Sequence, residues 1–435
     1  MGPNFISLTD PRLIKTIYST RGNYAKSDFY SVNDVLQDGH IIQNVFSTRS
    51  NAFHAKYMRP IQKLYSMSGI LSLEPLADTT ISIFCRRLEE LFVDRPNTCD
   101  IGDWLLYYAW DVVGEVTFSQ PIGFLEEGTD INDMLVTAEK ALDYFAVITQ
   151  MPKLDHLLDK NPLYRLGPPS FGAAAGYCAQ RMMERIQHAD THNHSQPDFL
   201  DHFLEMKKTY PDVVDNKQVI GYLLINILAG ADTTAITLRA IIYYLLKNPS
   251  AMAKLYAELD AANLPLPASY DSVRNLPYLS AVLREAMRMH PAVGMIMERI
   301  VPSGGLALPD GRFVAPGTIV GMNPWVVHRN QEIFGADADR FNPDRWLKGE
   351  DEDEETYRER LKRMKDADLT FGAGNRVCLG QNLALMECNK VVATLFSRYN
   401  FGLEDPKREW NIQNSWFVRQ TDIRIRITRH NKATA

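Results

Sequence analysis

The sequence predicts a mainly α fold with a small β portion, held in one domain over residues 1–435. Two observations carry this. Apolar residues recur at helical spacing through about 10–290 and again through about 380–400. Alternating and turn-bounded patterns are confined to about 295–320 and 398–428. No internal repeat divides the chain, and a hydrophobic fraction of 45% over 435 residues supports a substantial core.

Taken in order, Asp10-Pro11 joins an N-cap to a proline at the first helical position and starts a helix that runs to about Ser19. Helical spacing continues over Phe53–Leu71, Leu76–Phe92, Asp103–Phe118, Ile131–Thr149 and Ala173–His188. Asp190–Asp198 is polar and reads as a solvated loop; His192 and His194 within it would need a third ligand to hold a metal. Gly221–Lys247 is the longest helical pattern and ends at Asn248-Pro249. Another helix and the proline-rich Leu264–Ala268 lead to Leu276–His290, which Pro291 stops. The pattern then changes: Leu306–Leu308 and Arg312–Val314 flank Pro309-Asp310-Gly311 as a hairpin. Asp351–Asp366 is a charged, solvated segment, Gln381–Arg398 a helix, and Ile423, Ile425 and Ile427 alternate as a last strand.

A net charge of −6 gives no support to a general nucleic-acid role. The five cysteines are odd in number and form no CxxC pair, which fits reduced thiols rather than a disulfide framework. The most apolar stretch, Tyr222–Leu238, is interrupted by Asp232 and a threonine pair and reads as a buried helix rather than a membrane span.

The chemistry concentrates in Phe371-Gly372-Ala373-Gly374-Asn375-Arg376-Val377-Cys378-Leu379-Gly380. A lone cysteine at a helix start, near a cation, favours thiolate over thiol. With no second cysteine or histidine at zinc spacing, such a thiolate suits the axial position of a haem. Ala229-Gly230-Ala231-Asp232-Thr233-Thr234 puts a carboxylate and hydroxyls inside the longest apolar helix, where they are costly unless hydrogen-bonded or facing a wet cavity. An acid beside an alcohol can relay protons. Glu285 and Arg288 share a helix face at i and i+3, and Arg345 in Phe341-Asn342-Pro343-Asp344-Arg345-Trp346 could complete a buried network with them. Arg299 and His54 are candidate partners for acidic groups on a ligand.

These motifs, in this order, resemble the cytochrome P450 family: AGxDTT, ExxR, PxRW, then FxxGxRxCxG. The resemblance extends from about Asp10 to the last strand. Tyr65-Ser66-Met67-Ser68 with Leu73-Glu74-Pro75 further resembles the fungal microsomal group of pisatin demethylase and benzoate hydroxylase relatives. The resemblance implies a cytochrome P450 fold, N-terminally shortened, because such relatives begin with an anchor, a hinge, a first helix and the opening strands. It also implies haem b, with Cys378 as the axial ligand of the iron and Phe371, Gly372 and Gly380 around it. Arg376, Arg299 and His54 match propionate-holding positions; four residues after His54 the family's usual basic residue is Met58, followed by Arg59. Asp232 and Thr233 match the proton-delivering acid and alcohol, and Glu285, Arg288 and Arg345 a structural triad.

Substrate contacts would come from Phe29–Phe46, Leu224–Leu228, Ala292–Met297 and Trp416-Phe417, mostly apolar, which suits a hydrophobic or aromatic substrate. The implied activity is a monooxygenase of secondary metabolism or detoxification, hydroxylating or oxidatively demethylating its substrate. A haem-thiolate isomerase or dehydratase, and an inactive shortened relative, are the alternatives. With no GxGxxG fingerprint and no spare length for a flavin domain, electrons would come from NADPH through a separate flavoprotein reductase, with cytochrome b5 as a further partner. Lys56, Arg59, Lys63, Arg86 and Arg87 are candidates for the docking face. The implied location is the cytosolic face of the endoplasmic reticulum membrane, with no anchor helix within this chain.

Overall fold

The computed structural model describes residues 2–430 except positions 3, 22, 38, 162, 169, 170, 191 and 194. Its organising element is the central helix Asn216–Lys247. Asp215 caps it, accepting from the Gln218 N–H at 2.8 Å, so it starts five residues before the apolar pattern does. Pro249 follows its last turn and begins the next helix, Pro249–Ala262. The central helix packs most extensively against Ile101–Phe118, whose N-cap Asp100 accepts from Gly102 N at 3.1 Å. Gly230 lets the two approach closely: a Cβ there would lie 3.0 Å from Val113 Cγ2. Among the described residues this central helix is the one long and apolar enough to cross a bilayer. Its Leu238, Ala240, Ile241 and Ile242 are nevertheless fully buried in the core.

Around it lie Glu74–Leu91, Pro277–Met289 and Gln381–Arg398, all within one large apolar cluster. The β portion is peripheral. Phe5–Ser7 runs parallel to Ile319–Gly321, which pairs antiparallel with Arg299–Ile300. Cys99–Asp100, Arg424–Arg429 and Tyr399–Leu403 form a second three-stranded sheet. Ile425 and Ile427 face inward there as their alternation predicts. Asn411–Ser415 and Phe417–Thr421 make a hairpin whose tip, Trp416, has φ +73.

Several expectations are corrected. A strand, Phe5–Ser7, precedes Asp10, so one of the strands expected to be lacking is present. The single helix expected over Phe53–Leu71 is three pieces, Asn51–Met58, Gln62–Tyr65 and Met67–Leu71. Pro60 removes an N–H and restricts Arg59, which ends the first piece. Asp351–Asp366 lies at the surface but forms a helix, Glu354–Asp366, started by Asp353. The helices Pro152–Leu158 and Phe199–Thr209 and the hairpin Val35–Gln37/His40–Ile42 were not foreseen.

Nor is Asp190–Asp198 simply solvated. The His192 side chain is buried, with Nε2 2.6 Å from Asp201 Oδ2. Arg185 sits among Asp190, Asp198 and Asp201, reaching the last two at 2.8 and 2.7 Å. Its guanidinium already pairs with two members of the His192, Asp198 and Asp201 group. His194 lies outside the described residues.

One buried charge ties the outer helices together. Lys390 is fully buried, with Nζ 2.5 Å from Glu74 Oε1, 2.8 Å from Asp78 Oδ1 and 2.8 Å from the Ala268 carbonyl. Lys390→Met would leave two carboxylates facing each other without their cation. The expected loss is about 3 kcal/mol of unfolding free energy, read from denaturant midpoints.

Candidate active site around Cys378

The loop before Gln381–Arg398 is shaped by glycines where the backbone turns left-handed. Gly372 has φ +70 and Gly374 φ +68. At 374 a Cβ would lie 1.6 Å from the Tyr18 carbonyl oxygen, so only glycine fits. Cys378 N donates to the Phe371 carbonyl at 2.8 Å, closing the loop on itself. The sulfur is backed by the N–H groups of Gly380 and Gln381 at the helix start. Cys378 is the exposed one of five free cysteines, although its loop lies against the core. Ala229, near the middle of the central helix, is also exposed, in a run whose neighbours Ala231 and Asp232 are buried.

The electrostatics differ from the sequence argument in one respect. Although the Cys378 surface is open, its sulfur lies deep enough among protein atoms for desolvation to push the thiol up, against the pull of the two N–H groups. The expected cation does not turn to the sulfur: Arg376 Nη2 donates to the Ser50 carbonyl at 3.2 Å and Asn51 Oδ1 at 3.1 Å. A coordinated metal would add to the pull of the two N–H groups and deprotonate the sulfur outright.

Arg376 belongs instead to a cationic cluster. Burial and then Arg299 lower its pKa to about 10, and its Nε and Nη1 are buried without a hydrogen-bond partner. Lys26, from a different loop, is buried between the rings of Tyr30 and Phe46, 4.1 and 4.3 Å from their centroids. Its pKa is held well below the usual lysine range by burial, then by Arg299 and Arg376. His54 is brought down to about 4 by burial, then by Arg376 and Lys26. Arg299 donates to the Glu298 carbonyl at 2.8 Å and lies over the Tyr18 ring. The nearby carboxyl of Glu298 is raised by burial and takes the Ser27 hydroxyl. Positive side chains gathered here disfavour charge on Arg376, Lys26 and His54, and with the two orphaned N–H groups of Arg376 they make an anion site.

These residues fit haem: one sulfur donor on a glycine-bent loop, an exposed alanine on the central helix, and cations for two carboxylates. Cys378 would hold the iron, and Arg376, Arg299, His54 and Lys26 the propionates. Arg59, next to Met58, is exposed; Lys26 supplies the further cation from elsewhere.

Behind the loop, Glu285 is completely buried. Its Oε1 accepts from Arg288 Nη2 at 2.8 Å, Arg345 Nε at 3.1 Å and Asn342 N at 2.9 Å. Its Oε2 accepts from Arg288 Nε and Trp346 Nε1, both at 2.9 Å. Arg288 Nη1 passes to the His328 and Ala338 carbonyls at 2.7 Å. His328 Nε2 accepts from Leu369 N at 2.8 Å, just before the cysteine loop. The three expected residues thus come together and connect to that loop.

On the central helix, Thr233 Oγ1 donates to the Ala229 carbonyl at 3.0 Å, while Asp232 Oδ1 accepts from Trp110 Nε1 at 3.0 Å. Neighbours in sequence, they point about 100° apart around the helix. Burial raises the Asp232 carboxyl and the Trp110 bond lowers it.

Of the substrate-contact segments, three meet in an aromatic cluster. Phe29 and Phe145 lie 5.2 and 5.4 Å from Trp416, with Val293, Met295 and Phe417 packed against them. Leu224 and Leu228 instead pack, half-buried, on the main core. Lys26, Trp110 and His328 were missed by sequence reasoning. Their partners are far along the chain, so no local spacing announces them.

Comparison with known proteins identifies the family. The family model described as Cytochrome P450 matches residues 1–427. The curated cytochrome P450 monooxygenase cfoH of Aspergillus candidus is 42% identical over 440 residues, covering 100% of this chain and 81% of that protein. Cytochrome P450 monooxygenase cicH of Emericella nidulans is 39% identical, covering 100% of this chain and 86% of its own. The solved heme domain of cytochrome P450DA superposes with a TM-score of 0.77 at 16% identity, over 98% of this chain and 88% of that one. By sequence and fold, the chain belongs to the cytochrome P450 family.

Proposed function

We propose that this chain is a haem-thiolate monooxygenase that hydroxylates or oxidatively demethylates a hydrophobic or aromatic small molecule in fungal secondary metabolism or detoxification. The observation that carries this reading is the single cysteine sulfur, backed by two N–H groups, on a loop braced by the Glu285 network. When bound, haem iron ligated by a thiolate supplies the activation of dioxygen, one atom entering the substrate and the other leaving as water.

The chain's own residues would do the rest. Arg376, Arg299, Lys26 and His54 orient the cofactor by its carboxylates. Thr233 holds a hydroxyl beside the exposed Ala229, and Asp232 is the acid that resupplies it with protons. The aromatic cluster around Trp416 is apolar and excludes water, which suits a hydrophobic or aromatic substrate beside it.

Electrons would come from NADPH through a separate flavoprotein reductase, with cytochrome b5 as a further donor. Lys56, Arg59 and Lys63 are exposed and fit a docking face. Arg86 and Arg87 fit it less well, because Arg86 pairs with Glu90 and Glu126 and Arg87 with Glu90. Exposed Val35, Ile41 and Ile42, and exposed Met151, Leu154 and Leu157 at the helix that packs against the preceding segment Asp28–Asn33, support a peripheral contact with the endoplasmic reticulum membrane.

The reduced, carbon-monoxide-bound spectrum tests the core of this reading: the red-shifted Soret band of thiolate ligation is expected, and Cys378→Ser should abolish it. An unshifted band in the unaltered protein would refute it. Lys26→Met combined with Arg376→Met should speed haem transfer to apomyoglobin by about tenfold, since charge-assisted bonds to the propionates are lost. Lys56→Glu with Arg59→Glu should slow reductase-driven haem reduction about threefold at low salt, the gap narrowing as salt rises.

A further inference from the structure

Trp110 lies on Ile101–Phe118, the helix packed along the central one, and its side chain is almost completely buried. The ring stands edge-on to Phe124 with centroids 5.7 Å apart, so its orientation is fixed by packing. From that position Nε1 donates to Asp232 Oδ1 at 3.0 Å, in a setting where an unpartnered carboxylate would be costly. The other charged groups acting on Asp232 are Arg239 from its own helix, Arg419 from the strand Phe417–Thr421, and Glu139 from the helix Met134–Ile148. Both arginines are engaged elsewhere: Arg239 Nε donates to the Gly102 carbonyl at 2.8 Å, and Arg419 Nη2 to Asp143 at 2.6 Å. Among the described residues, the direct hydrogen bond to this carboxylate therefore comes from the indole.

We propose that Trp110 is the positioning residue for Asp232, its N–H fixing the direction in which the carboxyl points and favouring its ionised form. This rests on the reading that Asp232 supplies protons to Thr233. A tryptophan suits the task because it donates without titrating, leaving the acid as the group that gains and loses the proton. Each cycle then passes one proton from the Asp232 carboxyl to the Thr233 hydroxyl relay, and the carboxylate is recharged from solvent.

The test uses haem-loaded protein with an intact carbon-monoxide band, driven by NADPH and a flavoprotein reductase in the substrate-free oxidase reaction. Rates are measured from pH 6 to 9 in light and heavy water. Asp232→Ala should remove the high-pH limb and enlarge the solvent isotope effect. Trp110→Phe, which keeps the ring and loses the donor, should retain the limb, move it up by about one pH unit, and lower the plateau about threefold. Wild-type limb and plateau in Trp110→Phe, alongside a lost limb in Asp232→Ala, would overturn the positioning role and leave the relay standing. An unchanged Asp232→Ala would overturn both. Should Trp110→Phe fail to load haem, ultraviolet resonance Raman of the indole N–H still decides the matter. One of the six tryptophans should lose its hydrogen bond in Asp232→Ala, and an unchanged spectrum would reject the inference.

Discussion

The buried carboxylate of Glu285 is the interaction on which the rest of this molecule depends. Two arginines, a tryptophan and a backbone amide aim five N–H groups at its two oxygens. A carboxylate so saturated tolerates full burial, which an unpaired one would not. The network also has reach. It joins the helix Pro277–Met289 to the turn Pro343–Trp346 and, through His328, to Leu369 at the mouth of the cysteine loop. The glycines set the loop's turns, and this network anchors the loop's entrance to the scaffold.

The site is built around uncompensated charge. Sulfur and cations sit apart: the thiol is pushed up by burial, while Arg376, Lys26 and His54 are pushed down by burial and by one another. A ligand bearing a metal at its centre and carboxylates at its edge relieves both frustrations at once. The same bias toward completed pairs recurs where no ligand is called for. Lys390 is neutralised by Glu74 and Asp78, and Arg185 by Asp190, Asp198 and Asp201.

Much of this was legible in the chain itself. The helix ending at Lys247 before Asn248-Pro249, the hairpin around Pro309-Asp310-Gly311 and the last strand at Ile425 and Ile427 follow local rules, because period, caps and turn residues act within a few positions. The ordered motifs gave Cys378 and the Glu285, Arg288 and Arg345 set for a related reason: each motif is short and chemically unusual. Phe53–Leu71 was misread where its periodicity outweighed Pro60, and Asp190–Asp198 where polarity concealed an ion network closed by Arg185.

By itself, then, the sequence determined most of the long helices, that one cysteine stands alone in a glycine-bent loop, and that an acid and an alcohol interrupt the longest apolar helix. Only the tertiary structure decided which groups meet across hundreds of residues. It brought Lys26 beside Arg376, set Trp110 against Asp232, and turned Arg376 away from the sulfur it was expected to polarise. The physical reason is range. Periodicity and capping are fixed by neighbours along the chain, whereas the energy of a buried charge is fixed by whatever the fold places around it.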